Sequence, residues 1–157
     1  MLCPSPQYAL ALVLPFTRRG TLRTHALALL PRQAVKHLDF SAGKLRSLAG
    51  IDIFANLETI IVDNNLLDSL SSAGTIPSVR TLSLNFNAVY CLDAVLTCIH
   101  EKFPKLTFLS LLGNPCCASE LYGSTTNQYE AYCAKVADTL KDLKFLDSGP
   151  VIRKPPK

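Results

Sequence analysis

Catalytic signatures are what this sequence lacks. It has no G-x-G-x-x-G or Walker A loop to cradle phosphate, no H-E-x-x-H to hold a metal and no G-x-S-x-G nucleophile elbow. No Cys-x-x-Cys pair occurs, so a structural zinc site is without its usual spacing. No Asn-x-Ser/Thr glycosylation acceptor occurs either. Acid is missing from the start of the chain: five basic residues (Arg18, Arg19, Arg23, Arg32 and Lys36) precede the first carboxylate, Asp39. From Asp39 onward the formal charge is only −1, which argues against a nucleic-acid surface over the whole body. Long apolar runs are missing too. The longest, YALALVLPF, is about half of the ~20 residues that a membrane span requires, and it contains Pro15. No positive charge precedes that run, as a secretory signal would need. Charged residues make up 18% and hydrophobic ones 48%, a balance that favours a buried core over disorder.

The six cysteines, Cys3, Cys91, Cys98, Cys116, Cys117 and Cys133, therefore read as reduced thiols of a cytosolic or nuclear protein. Cys117 and Cys133 are candidates for neighbours at the C-terminal end, and filling small core gaps is the plain alternative. The acid-free first 38 residues have the flavour of a mitochondrial leader. Pro4, Pro6 and Pro15 interrupt the helix such a leader needs, so a structural cap is preferred over targeting.

What is present is a repeat. VKHLDFSAGKL begins at Val35, LETIIVDNNLL at Leu57, VRTLSLNFNAV at Val79 and LTFLSLLGNPC at Leu106. Each reads apolar-x-x-apolar-x-apolar-x-x-(Asn or Gly)-x-apolar, with starts 22, 22 and 27 residues apart. This period and internal pattern resemble the leucine-rich repeat. Leu38 and Phe40, Ile60 and Val62, Leu82 and Leu84, and Leu109 and Leu111 alternate with strand period and are assigned to the core. One repeat cannot bury its apolar face alone, so neighbours must stack. The expected fold is an α/β leucine-rich repeat solenoid, with a parallel sheet on the concave face and short 3-10 or α segments on the convex face. The resemblance implies that Asn65, Asn87 and Asn114 form a ladder bonding the backbone of the turning loops, which stops at Gly43.

The return segments support this. Leu45, Leu48, Ile51 and Phe54, then Leu67 and Leu70, recur at three-residue steps suited to 3-10 turns. CLDAVLTCIHEKFP predicts a helix with Leu92, Leu96 and Ile99 on its apolar face, ended by Pro104. NQYEAYCAKVADTLKDLKFLD predicts a second helix carrying Tyr129, Tyr132 or Cys133, Val136 and Leu140. With its Leu-x-x-Leu-Asp ending, it resembles the C-terminal cap of short leucine-rich proteins. The expected organisation is a basic N-terminal arm or cap at 1–34, four repeats at 35–128, the cap at 129–148 and a basic tail at 149–157.

Concave columns are where a partner is sought. One reads His37, Thr59, Thr81, Phe108, Phe145; the next Asp39, Ile61, Ser83, Ser110, Asp147; the third Ser41, Asp63, Asn85, Leu112. Exposed large apolar groups mark a partner site or a covered surface. His37, Ile61, Phe108, Leu112 and Phe145 are the candidate contacts, and the tail GPVIRKPPK is the alternative cover. His100 and Cys98 share the first helix, where a solvent-facing side is the plain reading.

LETIIVDNNLL, LSLLGN with Cys117, Glu120 and Leu121, then YEAYC and LKFLD resemble the leucine-rich melanocyte differentiation-associated family, from about Leu45 to Val151. That resemblance implies a non-catalytic adaptor without a cofactor, joining a Rab-family GTPase to endosomal recycling machinery. The expected partner is a protein, with no direct nucleic acid contact and no membrane span; the chain is expected to be a cytoplasmic monomer. The other reading is a structural subunit of an RNA–protein particle, like the spliceosomal A-prime type, which shares the short repeats and cap.

Overall fold

The computed structural model describes residues 32–118 and 123–153. Most of the expected N-terminal arm or cap, Glu120 and Leu121 of the family-like stretch, and the last four residues lie outside the described residues. The strands are β1 (His37–Asp39), β2 (Thr59–Ile61), β3 (Thr81–Ser83), β4 (Phe108–Ser110), β5 (Phe145–Leu146) and β6 (Gly149–Pro150). They lie side by side in sequence order. β1 to β5 run parallel, and β6 returns antiparallel against β5. The register repeats without a slip: Leu38, Ile60, Leu82, Leu109 and Leu146 are successive Cα partners and all are buried. The α/β leucine-rich repeat solenoid is thus the observed fold.

Each of β1 to β5 gives one apolar residue to a continuous core and one or two residues to the concave side. The chain then bends through a left-handed residue before the ladder position. Ala42, Asn64, Phe86 and Gly113 hold φ values of 57°, 55°, 51° and 74°. Only the glycine meets that geometry without a steric penalty. The bend sends Leu45, Leu67 and Val89 back into the core.

The convex side is uneven. A 3-10 turn covers Ile51–Ile53, whereas the second repeat returns without one despite Leu67 and Leu70 both being buried. The longer third repeat forms α1, Leu92–Lys102. Its buried face is Val95, Leu96 and Ile99, with Leu92 only partly covered, which corrects the face expected from the sequence. The helix ends at Lys102 with Phe103 as its C-cap, before Pro104. The cap helix α2 spans Thr126–Thr139, and Tyr132, Val136 and Ala137 are buried with Leu140 against the last repeat. Gln128 Oε1 accepts the Thr125 N–H at 2.8 Å and holds its first turn.

Candidate functional site

The strand register arranges the concave face. His37, Thr59, Thr81, Phe108 and Phe145 are consecutive Cα partners, one per strand. Phe108 and Phe145 therefore sit on neighbouring rungs, about 5 Å apart along the sheet. Phe145 is 50% exposed and Phe108 is half-buried. Leu112 is half-buried past the far end of β4, Ile61 is half-buried on β2, and half-buried His37 stands at the β1 edge. Four of the five sequence-derived candidates lie in strands of one sheet, Leu112 packs partly against the core, and only the two phenylalanines are adjacent partners. The tail leaves them open as far as it is described: β6 lies beside β5, and Arg153 Nη2 donates to the Leu140 and Leu143 carbonyls at 3.1 and 2.8 Å.

The middle of the face is a closed polar network. Ser83 Oγ donates to Asp63 Oδ1 at 2.7 Å, and the Asn85 N–H donates to the same oxygen at 2.8 Å. Ser110 Oγ donates to Asn85 Oδ1 at 2.6 Å. Asp39 Oδ1 accepts from the N–H and hydroxyl of Ser41. Ser83 and Ser110 are buried, although strand period assigned them outward. Their hydroxyls are consumed by neighbouring rungs.

Charge collects where the strands begin. Lys36 Nζ lies 2.7 Å from Glu58 Oε1, and this bond holds the Glu58 carboxyl below its ordinary range. Arg80 Nη1 donates to the Lys105 carbonyl at 3.1 Å. Ala55, Glu58, Pro77, Ser78, Arg80 and Lys105 line an open groove of about 630 Å³ at this edge.

Behind the face run the rungs. Asn65 Oδ1 accepts the N–H groups of Gly43 and Leu45 at 3.0 and 2.8 Å, while its amide donates to the carbonyls of Phe40, Val62 and Asp63. Asn87 accepts from Leu67 at 3.0 Å, and Asn114 accepts from Val89 at 3.1 Å. The ladder reaches Gly43 only as a donor to Asn65. At the other end sits a rung that sequence reasoning missed. Asp147, assigned by strand period to the outward column, is 5% exposed and turned inward. Its φ of 55° ends β5 at Leu146 and swings the carboxylate round to accept the Leu111 N–H at 2.8 Å. Tyr132 Oη donates to the second oxygen at 3.1 Å, and Cys117 Sγ lies 4.0 Å from it.

This cluster is electrostatically quiet. Burial raises the Asp147 carboxyl, opposed by the Leu111 and Tyr132 bonds. Burial, and then the Asp147 charge, push the Cys117 thiol up to about 12. Burial pushes Cys116 up to about 11, and it also raises Tyr132 and Cys133. Such thiols stay protonated and are poor nucleophiles. Cys91, Cys98, Cys116, Cys117 and Cys133 are all free. Among the described residues no group of three His, Cys, Asp or Glu is placed to hold a metal, and no helix is long and apolar enough to cross a membrane.

Four exposed apolar residues were also missed: Leu66 at 40%, Phe86 at 53%, Tyr90 at 74% and Ile152 at 86%. Phe86 occupies the left-handed position beside Gly113, where an added Cβ would come within 2.4 Å of the ring. The signal was available, since Phe86 falls between Asn85 and Asn87, where the other repeats place Ala42, Asn64 and Gly113.

No protein-family model matches the chain. It is 41% identical over 111 residues to leucine-rich melanocyte differentiation-associated protein of Homo sapiens, across 69% of this chain and 56% of that protein. It is 33% identical over 87 residues to geranylgeranyl transferase type-2 subunit alpha of Mus musculus, across 55% of this chain and 15% of that one. The chain thus spans about half the length of the first relative and a small part of the second. Among solved structures, the crystal structure of the Drosophila melanogaster SNF/U2A′ complex shares the fold, with a TM-score of 0.57 and 22% identity over 75% of this chain and 62% of that one. Taken with the buried rungs and their unbroken register, these likenesses place the chain in the leucine-rich repeat family, as a short member closed by a C-terminal cap.

Proposed function

We propose that the chain is a non-catalytic adaptor that binds a protein partner on the concave face of its sheet. One observation carries this reading: Phe145 is 50% exposed beside half-buried Phe108, in a column that holds His and Thr on β1 to β3. Leaving such rings in water forgoes ~25 cal/mol per Å² of apolar surface, and binding energy tends to concentrate in a few such anchors. We take the partner to be a Rab-family GTPase or its associated trafficking complex, as the resemblance to the melanocyte differentiation-associated family implies; the chain is 41% identical to one such protein over 69% of its length. A second reading has its own support. The solved neighbour is part of an SNF/U2A′ complex, which favours a structural role in an RNA–protein particle.

The test is affinity capture from the native cell with mass spectrometry, using wild type and a Phe108→Ala/Phe145→Ala double variant. Capture should weaken by at least ~2 kcal/mol, the scale of a binding hot spot. The melting temperature should fall less than for the core change Leu109→Ala, which costs ~2–5 kcal/mol. Unchanged capture by a folded double variant overturns the concave anchor. Salt-sensitive binding of RNA by the isolated chain would favour the second reading.

A further inference from the structure

We infer that the partner segment received by this face is acidic: a peptide that rests an apolar side chain on Phe108 and Phe145 and directs a carboxylate to Arg80 and Lys144. The inference rests on the concave-face reading above and names the chemistry of its partner.

Charge on the face is distributed unevenly. Lys144 immediately precedes Phe145, and Arg80 immediately precedes Thr81, the in-register partner of Phe108. β3, β4 and β5 are consecutive, so Arg80, the two rings and Lys144 span about 10 Å of sheet. A single short segment covers that distance. Arg80, Lys105 and Lys144 are exposed, and none forms an ion pair among the described residues. Glu58, the carboxylate nearest in this row, is occupied by Lys36 at 2.7 Å. The bond from Arg80 Nη1 to the Lys105 carbonyl holds the guanidinium at the groove and fixes the direction of its charge. Asp39 ends β1 and Asp63 follows β2, so both carboxylates, bonded there to Ser41, Ser83 and Asn85, stand at least two strands from the rings on β4 and β5. The charge available beside the rings is therefore cationic.

Charge complementarity selects among the occupants. Residues 1–31 of this chain carry Arg18, Arg19 and Arg23 and no acid, so they do not complement this edge. Nucleic acid fits less well than an acidic peptide. Exposed Asp142 lies two residues before Lys144, so the cations beside the rings are isolated charges and not a track. An extended phosphate backbone asks for a continuous basic track. A peptide with one or two carboxylates next to an apolar side chain asks only for the cations that are present.

A random peptide library displayed on phage, selected on the full-length chain, tests this. Selected sequences should combine Asp or Glu with a neighbouring large apolar residue. As synthetic peptides they should bind at least ~10-fold more weakly to Arg80→Glu/Lys144→Glu, with binding that weakens as salt rises. Arg80→Gln/Lys144→Gln, which keeps a donor for the Lys105 carbonyl, should give an intermediate loss, and melting temperatures of both variants should match wild type. Peptides that need Phe108 and Phe145 but are neutral or basic, and ignore the charge variants, overturn the acidic partner while leaving the concave anchor in place. Peptides indifferent to Phe108→Ala/Phe145→Ala overturn both. A polyuridine oligonucleotide that displaces every selected peptide and is itself lost in Arg80→Glu/Lys144→Glu overturns the inference in favour of phosphate. Failure to select any peptide also overturns it.

Discussion

Asparagine suits an inner rung because one end of its side chain accepts and the other donates. At Asn87 the oxygen takes the Leu67 N–H, while the amide serves the carbonyls of Val62, Leu84 and Asn85. Asn87→Ala should cost ~1–3 kcal/mol in urea denaturation, because these buried backbone groups lose their partners. Asn87→Asp should be no better, since a carboxylate oxygen would face those carbonyls. An unchanged urea midpoint for either would refute the rung. The last rung inverts the requirement. Asp147 faces the Tyr132 hydroxyl, a donor, so a carboxylate fits. Its carboxyl is raised by burial above the ordinary 3.8, so the folded chain keeps its proton to a higher pH than the unfolded chain. Stability from this group is therefore present at low pH and lost as pH rises from the unfolded value through the raised folded one. Asp147→Asn keeps the acceptor for Leu111, and Tyr132 can turn to accept. Relative to that variant, wild type should lose stability as pH climbs through this window; parallel profiles would show that the group is not shifted. The three asparagines were legible because they recur at one offset in the last three repeats. Asp147 was not, because strand period was carried one residue beyond the point where φ turns positive.

At the scale of elements, the strands were legible from alternation and the convex segments only in outline. β1 to β5 were placed by apolar residues whose spacing admits a single face, whereas β6, Gly149–Pro150, falls in the stretch read as a basic tail. The helix α1 was placed too, but its face was not. Leu92, Val95, Leu96 and Ile99 are all apolar, and helical period alone cannot say which side meets the previous repeat. The long return decides it. The Ile76 N–H donates to the Lys102 carbonyl, and Lys102 Nζ reaches the Ser71 carbonyl at 3.1 Å, which ties the end of the helix to the preceding turn. With that end pinned, Val95 rolls inward and Leu92 toward the rim. Leu96→Ala should therefore cost ~2–5 kcal/mol, and Leu92→Ala less than half as much, by thermal denaturation. Equal costs would mean that the helix sits rotated toward the face read from the sequence. Phe86 escaped detection for a related reason. Its position is fixed by the bend of the backbone rather than by any burial pattern, so strand period gave it no place.

Across the whole molecule, each repeat meets only its neighbours, and stability should be distributed along the stack rather than uniform. The centre is held from both sides. The Val62 N–H donates to the Ser83 carbonyl and the Leu84 N–H to the Ser110 carbonyl, and the Asn87 rung crosses between the same repeats. At the C-terminal end, β5 and β6 have two residues each, and the Val151 N–H closes onto the Lys144 carbonyl. Native-state hydrogen exchange should therefore find the Val62 and Leu84 amides slowest, and the Val151 amide among the fastest of the hydrogen-bonded set. Removing a central rung then separates two descriptions of the stack. If coupling runs only between neighbours, Asn87→Ala should speed exchange most at Leu67, whose N–H loses its acceptor. Val62 and Leu84 should follow, while the Asp147 amide, bonded to Leu109, changes much less. If the chain opens only as one cooperative unit, all of these amides should accelerate by the same factor. A graded response centred on Leu67 is the expected result, because the rung spans one junction between repeats while the cap is held by its own rung at Asp147.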